Sequence, residues 1–202
     1  MECGIVRHDW VNDSYKHLIA DAPAAALLAK PGQFFHILCP SDSSDSPFLR
    51  RPMSVYRVDR ANARIEFLYK VAGAGTRTLS VLQTGDALNV FGPLGQGFSP
   101  EADTKHALIV ARGVGLSTLA PLVEAVVADG IAATAILSAR STAYVMSKDY
   151  LQGVGARVRT VTDTEGTSDV DQVEDMVRRL ITDDGANFIA TCGSNRLLFM
   201  LQ

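Results

Sequence analysis

Over the first hundred positions, apolar residues come in short runs that alternate with polar ones or are rich in β-branched and aromatic side chains. The clearest are PGQFFHILCP at 31–40, RPMSVYRVD at 51–59, ARIEFLYKV at 63–71 and DALNVFG at 86–92, each bounded by Pro, Gly, Asn or Asp. Alternation with a period of two sends successive side chains to opposite faces of an extended chain, so these runs predict strands. One helical interruption is expected at 76–82 (TRTLSVL), which follows two glycines and ends before Gly85. Many short strands with few helices predict an antiparallel β-barrel or sandwich.

After Pro100 the rhythm changes. HALIVA at 106–111 reads as a short buried strand, and 116–130 as a helix closing on Gly130. Further strands are expected at 131–139 and 156–163. Val170, Val173, Met176, Val177, Leu180 and Ile181 fall on one helical face, and FIATC at 188–192 reads as another buried strand. Strand and helix in alternation predict a doubly wound, mostly parallel sheet. The pattern therefore divides the chain into a β domain over 1–100 and an α/β domain over 101–202.

Composition narrows what such a chain does. It has 202 residues, 47% of them hydrophobic and 20% charged, enough to bury a core and unlike a disordered chain. A net charge of −3 and the lack of a Lys/Arg run argue against nucleic acid or an anionic membrane as the main partner. The formal charges of the two parts are +1 and −4. No apolar run approaches the roughly 18 residues of a membrane span, and the N-terminus has no signal-peptide core, so a cytoplasmic protein is expected. Cys3, Cys39 and Cys192 form no C-x-x-C pair and the four histidines no H-x-x-x-H, which argues against a disulfide framework or a zinc site. SDSSDS at 41–46 reads as an exposed loop.

Five features carry candidate chemistry. In ALIVARGVGLSTLAPL a strand runs into Gly113, Val114 and Gly115 and then a helix, where backbone N–H groups can hold a pyrophosphate; any tight strand-to-helix turn looks the same. In LYKVAGAGTRTLS, Gly73, Gly75 and Thr76 stand between a strand and a short helix, as an anion nest or a plain glycine turn. Arg50 and Arg51 open a strand, with Ser54 on the face opposite Arg51 and Met53. A guanidinium suits phosphate, and exposed arginines also simply pair with surface carboxylates. Cys192 ends the last strand at the carboxyl edge of the sheet, and Gly193 and Ser194 open a helix. Arg140, past the second strand of the α/β part, is placed to meet a 2′-phosphate, to cap a helix or to face solvent.

The order of these motifs resembles the ferredoxin-reductase superfamily, and within it the electron-transfer subunits of heterodimeric dihydroorotate dehydrogenases. The family's PGQF, RRP-x-S, YR-x-x-G-x-GT, GPLG-x-GF and GVG motifs stand here at 31–34, 50–54, 69–76, 92–98 and 113–115. The resemblance implies an FAD-binding β-barrel domain followed by an NAD(P)-binding α/β domain. It implies that Arg51, Pro52, Met53 and Ser54 line FAD, with Arg51 on the pyrophosphate and Ser54 at the flavin edge. Leu68, Tyr69 and Lys70 are expected along the flavin through their backbone, and Gly75 and Thr76 at the diphosphate. Gly113, Val114 and Gly115 are expected to hold the nicotinamide nucleotide, with Cys192 beside its ring. Two local departures stand out: Arg112 interrupts the family's run of glycines, and Cys192-Gly193 is followed by Ser194 rather than Pro.

The implied function is electron transfer between NAD⁺ and a catalytic dihydroorotate dehydrogenase partner carrying FMN, in pyrimidine biosynthesis. The alternatives are a stand-alone NAD(P)H-dependent flavin oxidoreductase and a non-catalytic flavin-binding module. The family also carries a [2Fe–2S] cluster on a C-terminal four-cysteine segment. Here the sequence given stops at Gln202 in the apolar run LLFMLQ, so a longer native polypeptide supplying that segment is expected.

Overall fold

The computed structural model describes residues 1–41 and 45–201; Asp42, Ser43 and Ser44, the middle of the expected loop, and Gln202 lie outside the described residues. The chain divides into two compact units, Met1–Gly97 and Phe98–Gln202.

The first unit is one seven-stranded antiparallel sheet. Its strands are β1 (Glu2–Trp10), β2 (Tyr15–Asp21), β3 (Phe34–Ile37), β4 (Arg51–Ser54), β5 (Arg57–Asp59), β6 (Arg64–Lys70) and β7 (Ala87–Leu94), in the order β4-β3-β7-β1-β2-β6-β5. The two edge strands, β4 and β5, are joined by only Val55 and Tyr56. Val55 N donates to Gln33 O near one edge and Tyr56 N to Glu66 O at the other. The sheet must therefore curl until its edges meet, which makes it a barrel. The predicted strand over 51–59 is thus two strands on different partners. Alternate residues turn inward: Cys3 and Ile5, Leu18 and Ala20, Phe35 and Ile37, Ile65, Phe67 and Tyr69, and Leu88 and Val90 form the core. The β1–β2 hairpin was not among the expected strands, because its seam of His8, Lys16 and His17 breaks the apolar pattern that marks the others.

The helix α1 (Ala74–Ser80) follows β6, close to the expected 76–82. It is fastened at its C-terminal end. Lys16 Nζ donates to Ser80 O at 2.7 Å, and His8 Nδ1 donates to Leu82 O at 2.8 Å. His8 Nε2 accepts from the Tyr69 hydroxyl at 2.8 Å, which fixes the neutral Nδ1–H tautomer, since a carbonyl only accepts. Burial holds His8 below and Tyr69 above the ordinary range for each.

The second unit is a parallel sheet of β8 (His106–Arg112), β9 (Ala132–Ala139), β10 (Arg157–Thr162) and β11 (Phe188–Cys192), in the order β10-β9-β8-β11. The helix α2 (Leu116–Ala128) lies between β8 and β9 in sequence, and Gly130 beyond it takes the left-handed conformation (φ 78°) that ends many helices. A six-residue helix, α3 (Lys148–Gly153), was not legible, being too short to show a period. α4 (Val170–Thr182) sets Val173, Val177 and Leu180 against Leu108, Val110, Ile136 and Val161, together with Leu197 of α5 (Asn195–Met200). Two expectations are corrected. Ile181 is exposed on α4, just outside its apolar stripe, and β11 is an edge strand with Ile189 exposed rather than a fully buried one.

After β8 the chain builds outward through β9 and β10, then returns to place β11 on the other side of β8. The strand order reverses between β8 and β11. In doubly wound sheets ligands bind in the crevice at the carboxyl ends of the strands at this switch point.

Candidate functional site

Three barrel motifs meet around Gln33. Its amide donates to Gly95 O at 2.8 Å and accepts from Lys30 N at 2.9 Å, while its backbone carbonyl takes Val55 N at 3.0 Å. The 31–34 turn, the 92–98 loop and the end of β4 are thereby held as one piece.

The two arginines part ways. Arg50 binds into the sheet, donating to His36 O and Asn89 O at 3.3 Å each and to Asn89 Oδ1 at 2.6 Å, so it ties β3 to β7. Arg51 instead reaches α1. A Cβ built on Gly75 would stand 2.7 Å from Arg51 Nε and 2.9 Å from Arg51 Cγ, so the guanidinium lies against a face that only glycine leaves open. Among the described residues its one hydrogen bond goes to Leu49 O at 2.5 Å. The Thr76 hydroxyl accepts from Ala72 N (2.9 Å) and Gly73 N (3.0 Å) and donates to Gly73 O (3.0 Å). It therefore shapes the turn, and its hydrogen-bonding capacity is engaged locally rather than free for a ligand.

The other expected flavin-lining residues are spread over both faces of their strands. The resemblance implies that the Met53 side chain lines FAD. Met53 is 8% exposed and packed in the barrel core, opposite Phe35, so its side chain is not available for that. Pro52 is exposed, and Ser54 is half-buried on the opposite face from Met53, paired with Phe34. Leu68 and Tyr69 are buried and Lys70 is exposed at the end of β6, which leaves backbone and the lysine to face outward.

In the second unit the two loops at the switch point touch through their backbones. A Cβ on Gly115 would overlap the Cys192 carbonyl and stand 2.6 Å from Gly193 N. Gly193 has φ 98°, and a Cβ there would overlap Arg112 O. Gly113, Val114 and Gly115 form a single 3-10 turn leading into α2, with Val114 exposed. Cys192 is half-buried beside this junction, and the Ser194 hydroxyl caps α5 by accepting from Leu197 N at 3.4 Å. The turn and the cysteine singled out in sequence are thus brought together.

Arg112, the residue that interrupts the glycines, lies across the strand ends. It donates to Ser138 Oγ at the end of β9 (2.6 Å) and to Asp163 Oδ2 just past β10 (2.6 Å). The other Asp163 oxygen accepts from Ser168 Oγ. Arg112, and secondarily Ser168, hold the Asp163 carboxyl below its ordinary range. Ser138, Asp163 and Ser168 were missed in sequence. The signal was available for two of them: Ser138 and Asp163 both fall at carboxyl ends of strands that the pattern located. Arg140 follows β9 with its guanidinium 5.5 Å from the Tyr144 ring.

Among the described residues no group of three or more His, Cys, Asp or Glu is placed to hold a metal ion, and Cys3 and Cys39 are in the barrel core. The described residues therefore offer no ligand set for an iron–sulfur cluster. Among them no helix is long and apolar enough to cross a membrane.

No family model matches the chain. Among solved structures it is similar to ferredoxin-NADP⁺ reductase from Plasmodium falciparum (TM-score 0.77, 14% identity, 99% of this chain and 88% of that one). It is equally similar to a ferredoxin NADP⁺ reductase from Neisseria gonorrhoeae (TM-score 0.77, 17% identity, 100% and 89%). Both likenesses establish the two-domain β and α/β fold. Among sequences, the dihydroorotate dehydrogenase B (NAD(+)) electron transfer subunit of Desulforamulus reducens is 33% identical over 159 residues, 79% of this chain and 60% of its own. The same-named protein of Bacillus cereus strain Q1 is 30% identical over 203 residues, 98% of this chain and 75% of its own. With that near-complete coverage, the chain belongs to the family of dihydroorotate dehydrogenase B electron-transfer subunits.

Proposed function

We propose that this chain is an FAD-carrying oxidoreductase subunit that exchanges electrons between NAD(H) and an FMN-bearing dihydroorotate dehydrogenase catalytic partner. The observation that carries the flavin half is the Arg51–Gly75 contact. Among the described residues the guanidinium makes one hydrogen bond, to Leu49 O, and it stands against the Gly75 face at the start of α1, which suits a diphosphate through charge-assisted hydrogen bonds. FAD has such a group and FMN has only a monophosphate. The barrel unit is accordingly assigned to FAD and the α/β unit to the nicotinamide nucleotide.

In this reading Arg51 neutralises the FAD diphosphate, and Gly75 lets it come close. Ser54 and the backbone of Leu68, Tyr69 and Lys70 position the ring system. Gly113, Val114 and Gly115 receive the dinucleotide diphosphate at the start of α2. Cys192, beside that turn, adjoins the nicotinamide. Bound FAD supplies the step between hydride exchange and single-electron exchange. The protein's task is to align the two rings and keep water away.

Three measurements test this. The purified protein should show a flavin spectrum that NADH bleaches, and it should copurify with its catalytic partner. Arg51→Ala should weaken FAD retention about 10–150-fold, the equivalent of a charge-assisted contact of roughly 1.5–3 kcal/mol. Unchanged retention would remove Arg51 from the site.

A further inference from the structure

Resting on the reading of the second unit as the nicotinamide-nucleotide site, we propose that Arg112 is a phosphate-binding residue whose guanidinium Asp163 holds in competition with the ligand. The Arg112–Asp163 pair thereby keeps dinucleotide affinity low enough for rapid exchange.

Three observations carry this. First, position. Arg112 is the residue immediately before the Gly113–Gly115 turn, and its side chain runs along the carboxyl ends of β8, β9 and β10. A dinucleotide whose diphosphate sits at that turn passes over the same strand ends. Second, accessibility. The Arg112 and Asp163 side chains are 21% and 41% exposed, so the pair is accessible to solvent at the strand ends and its partners can be exchanged without unfolding.

Third, the asymmetry of the two anchors. Asp163 is pinned from both sides, by Arg112 on one oxygen and by Ser168 on the other, and it sits at the start of a tight turn. That turn is closed by Gly166 N donating to Asp163 O at 3.1 Å and by Thr162 N donating to Thr167 Oγ1 at 2.8 Å. Arg112 by contrast has only side-chain partners that a phosphate oxygen can replace. The carboxylate is the fixed member and the guanidinium the movable one. An arginine at a phosphate turn with no counter-ion would bind dinucleotide more tightly. Here the counter-ion is built in, so incoming phosphate must displace a carboxylate rather than water.

A purely structural strap makes a different prediction from a competitor. If the pair only braced the strand ends, removing either partner would loosen the turn and weaken binding. If Asp163 competes with the ligand, the two substitutions act with opposite signs. The experiment is equilibrium binding of NAD⁺ to the purified flavin-loaded protein, with thermal melting and flavin content recorded for each variant. Asp163→Asn should tighten NAD⁺ binding by about fivefold or more, and Arg112→Met should weaken it by about tenfold. The double variant should bind like Arg112→Met alone, because Asp163 acts only through Arg112. Should Asp163→Asn fail to fold, Ser138→Ala, which removes the guanidinium's other partner, should tighten binding in the same sense and less. Same-sign effects, or no effect of Asp163→Asn, overturn the inference and leave the nucleotide site standing. Failure of the wild-type protein to bind NAD⁺ at all overturns the proposed function and this inference with it.

Discussion

Gly75 is a residue whose missing side chain does the work. A methyl group there would stand within 3 Å of the Arg51 side chain, but the clash is with a flexible group rather than backbone. Gly75→Ala should therefore fold normally and displace the guanidinium. The expected result is a melting temperature within a few degrees of wild type, with FAD retention reduced toward that of Arg51→Ala. Retained flavin in Gly75→Ala would mean that Arg51 does not use that approach. The other residue-scale prediction concerns Asp163. Its carboxyl titrates below the ordinary 3.8 in the folded chain, mainly because Arg112 favours the ionised form. The pair's contribution to stability is thus complete above pH 3.8 and is lost as pH falls through the lower folded value. Arg112→Met removes the main cause and leaves the Ser168 hydrogen bond, so that variant should lose most of this acid-range component when pH titrations of stability are compared with wild type by circular dichroism. Superimposable titration curves would show that the pair contributes nothing to folding.

At the scale of elements, legibility followed periodicity. β8, β9, β10 and α4 were read within a residue or two because a parallel core makes apolar runs and a one-sided helix makes a 3.6-residue stripe. The β1–β2 hairpin was missed because His8 and Lys16 face the end of α1, where they bind carbonyls instead of packing. The split of 51–59 into β4 and β5 was also hidden. It follows from which strands each half pairs with, and those partners lie elsewhere in the sequence. The junction of the β8 and β11 loops shows the same limit. The sequence displays Gly113, Gly115 and Gly193, but not that their backbones meet. That contact yields a prediction. Gly193→Ala requires a left-handed alanine and an overlap with Arg112 O, neither of which a side-chain rotation relieves. It should destabilise the second unit by at least about 2 kcal/mol. Gly130→Ala, also at positive φ but with open space around its Cβ position, should cost only about 1 kcal/mol. Urea unfolding of the two variants gives the comparison, and equal losses would show that the inter-loop contact is not tight.

For the whole molecule, the change of texture near residue 100 separates two ways of making a ligand site. The barrel puts its candidate site on a strand edge and one helix start, and the parallel sheet puts its site at a reversal of strand order. Substitutions should therefore sort by unit. Cys192→Ser tests this sorting most sharply, because it preserves size and hydrogen-bonding capacity while replacing a polarizable sulfur by a hydroxyl. Cys192 is the last residue of β11, and its carbonyl lies against Gly115, but its side chain carries neither the turn nor the cap of α5, which belongs to Ser194. The backbone of the Gly113–Gly115 turn should thus survive the change, and so should flavin content, since the residues proposed to line the flavin all lie in the first unit. If Cys192 adjoins the nicotinamide, the variant should bind NAD⁺ within about twofold of wild type yet be bleached by NADH several-fold more slowly, a change in the reacting step rather than in binding. A variant with unchanged bleaching would place the sulfur away from the reacting ring, and one with weakened NAD⁺ binding would move its role from the ring to the phosphate turn.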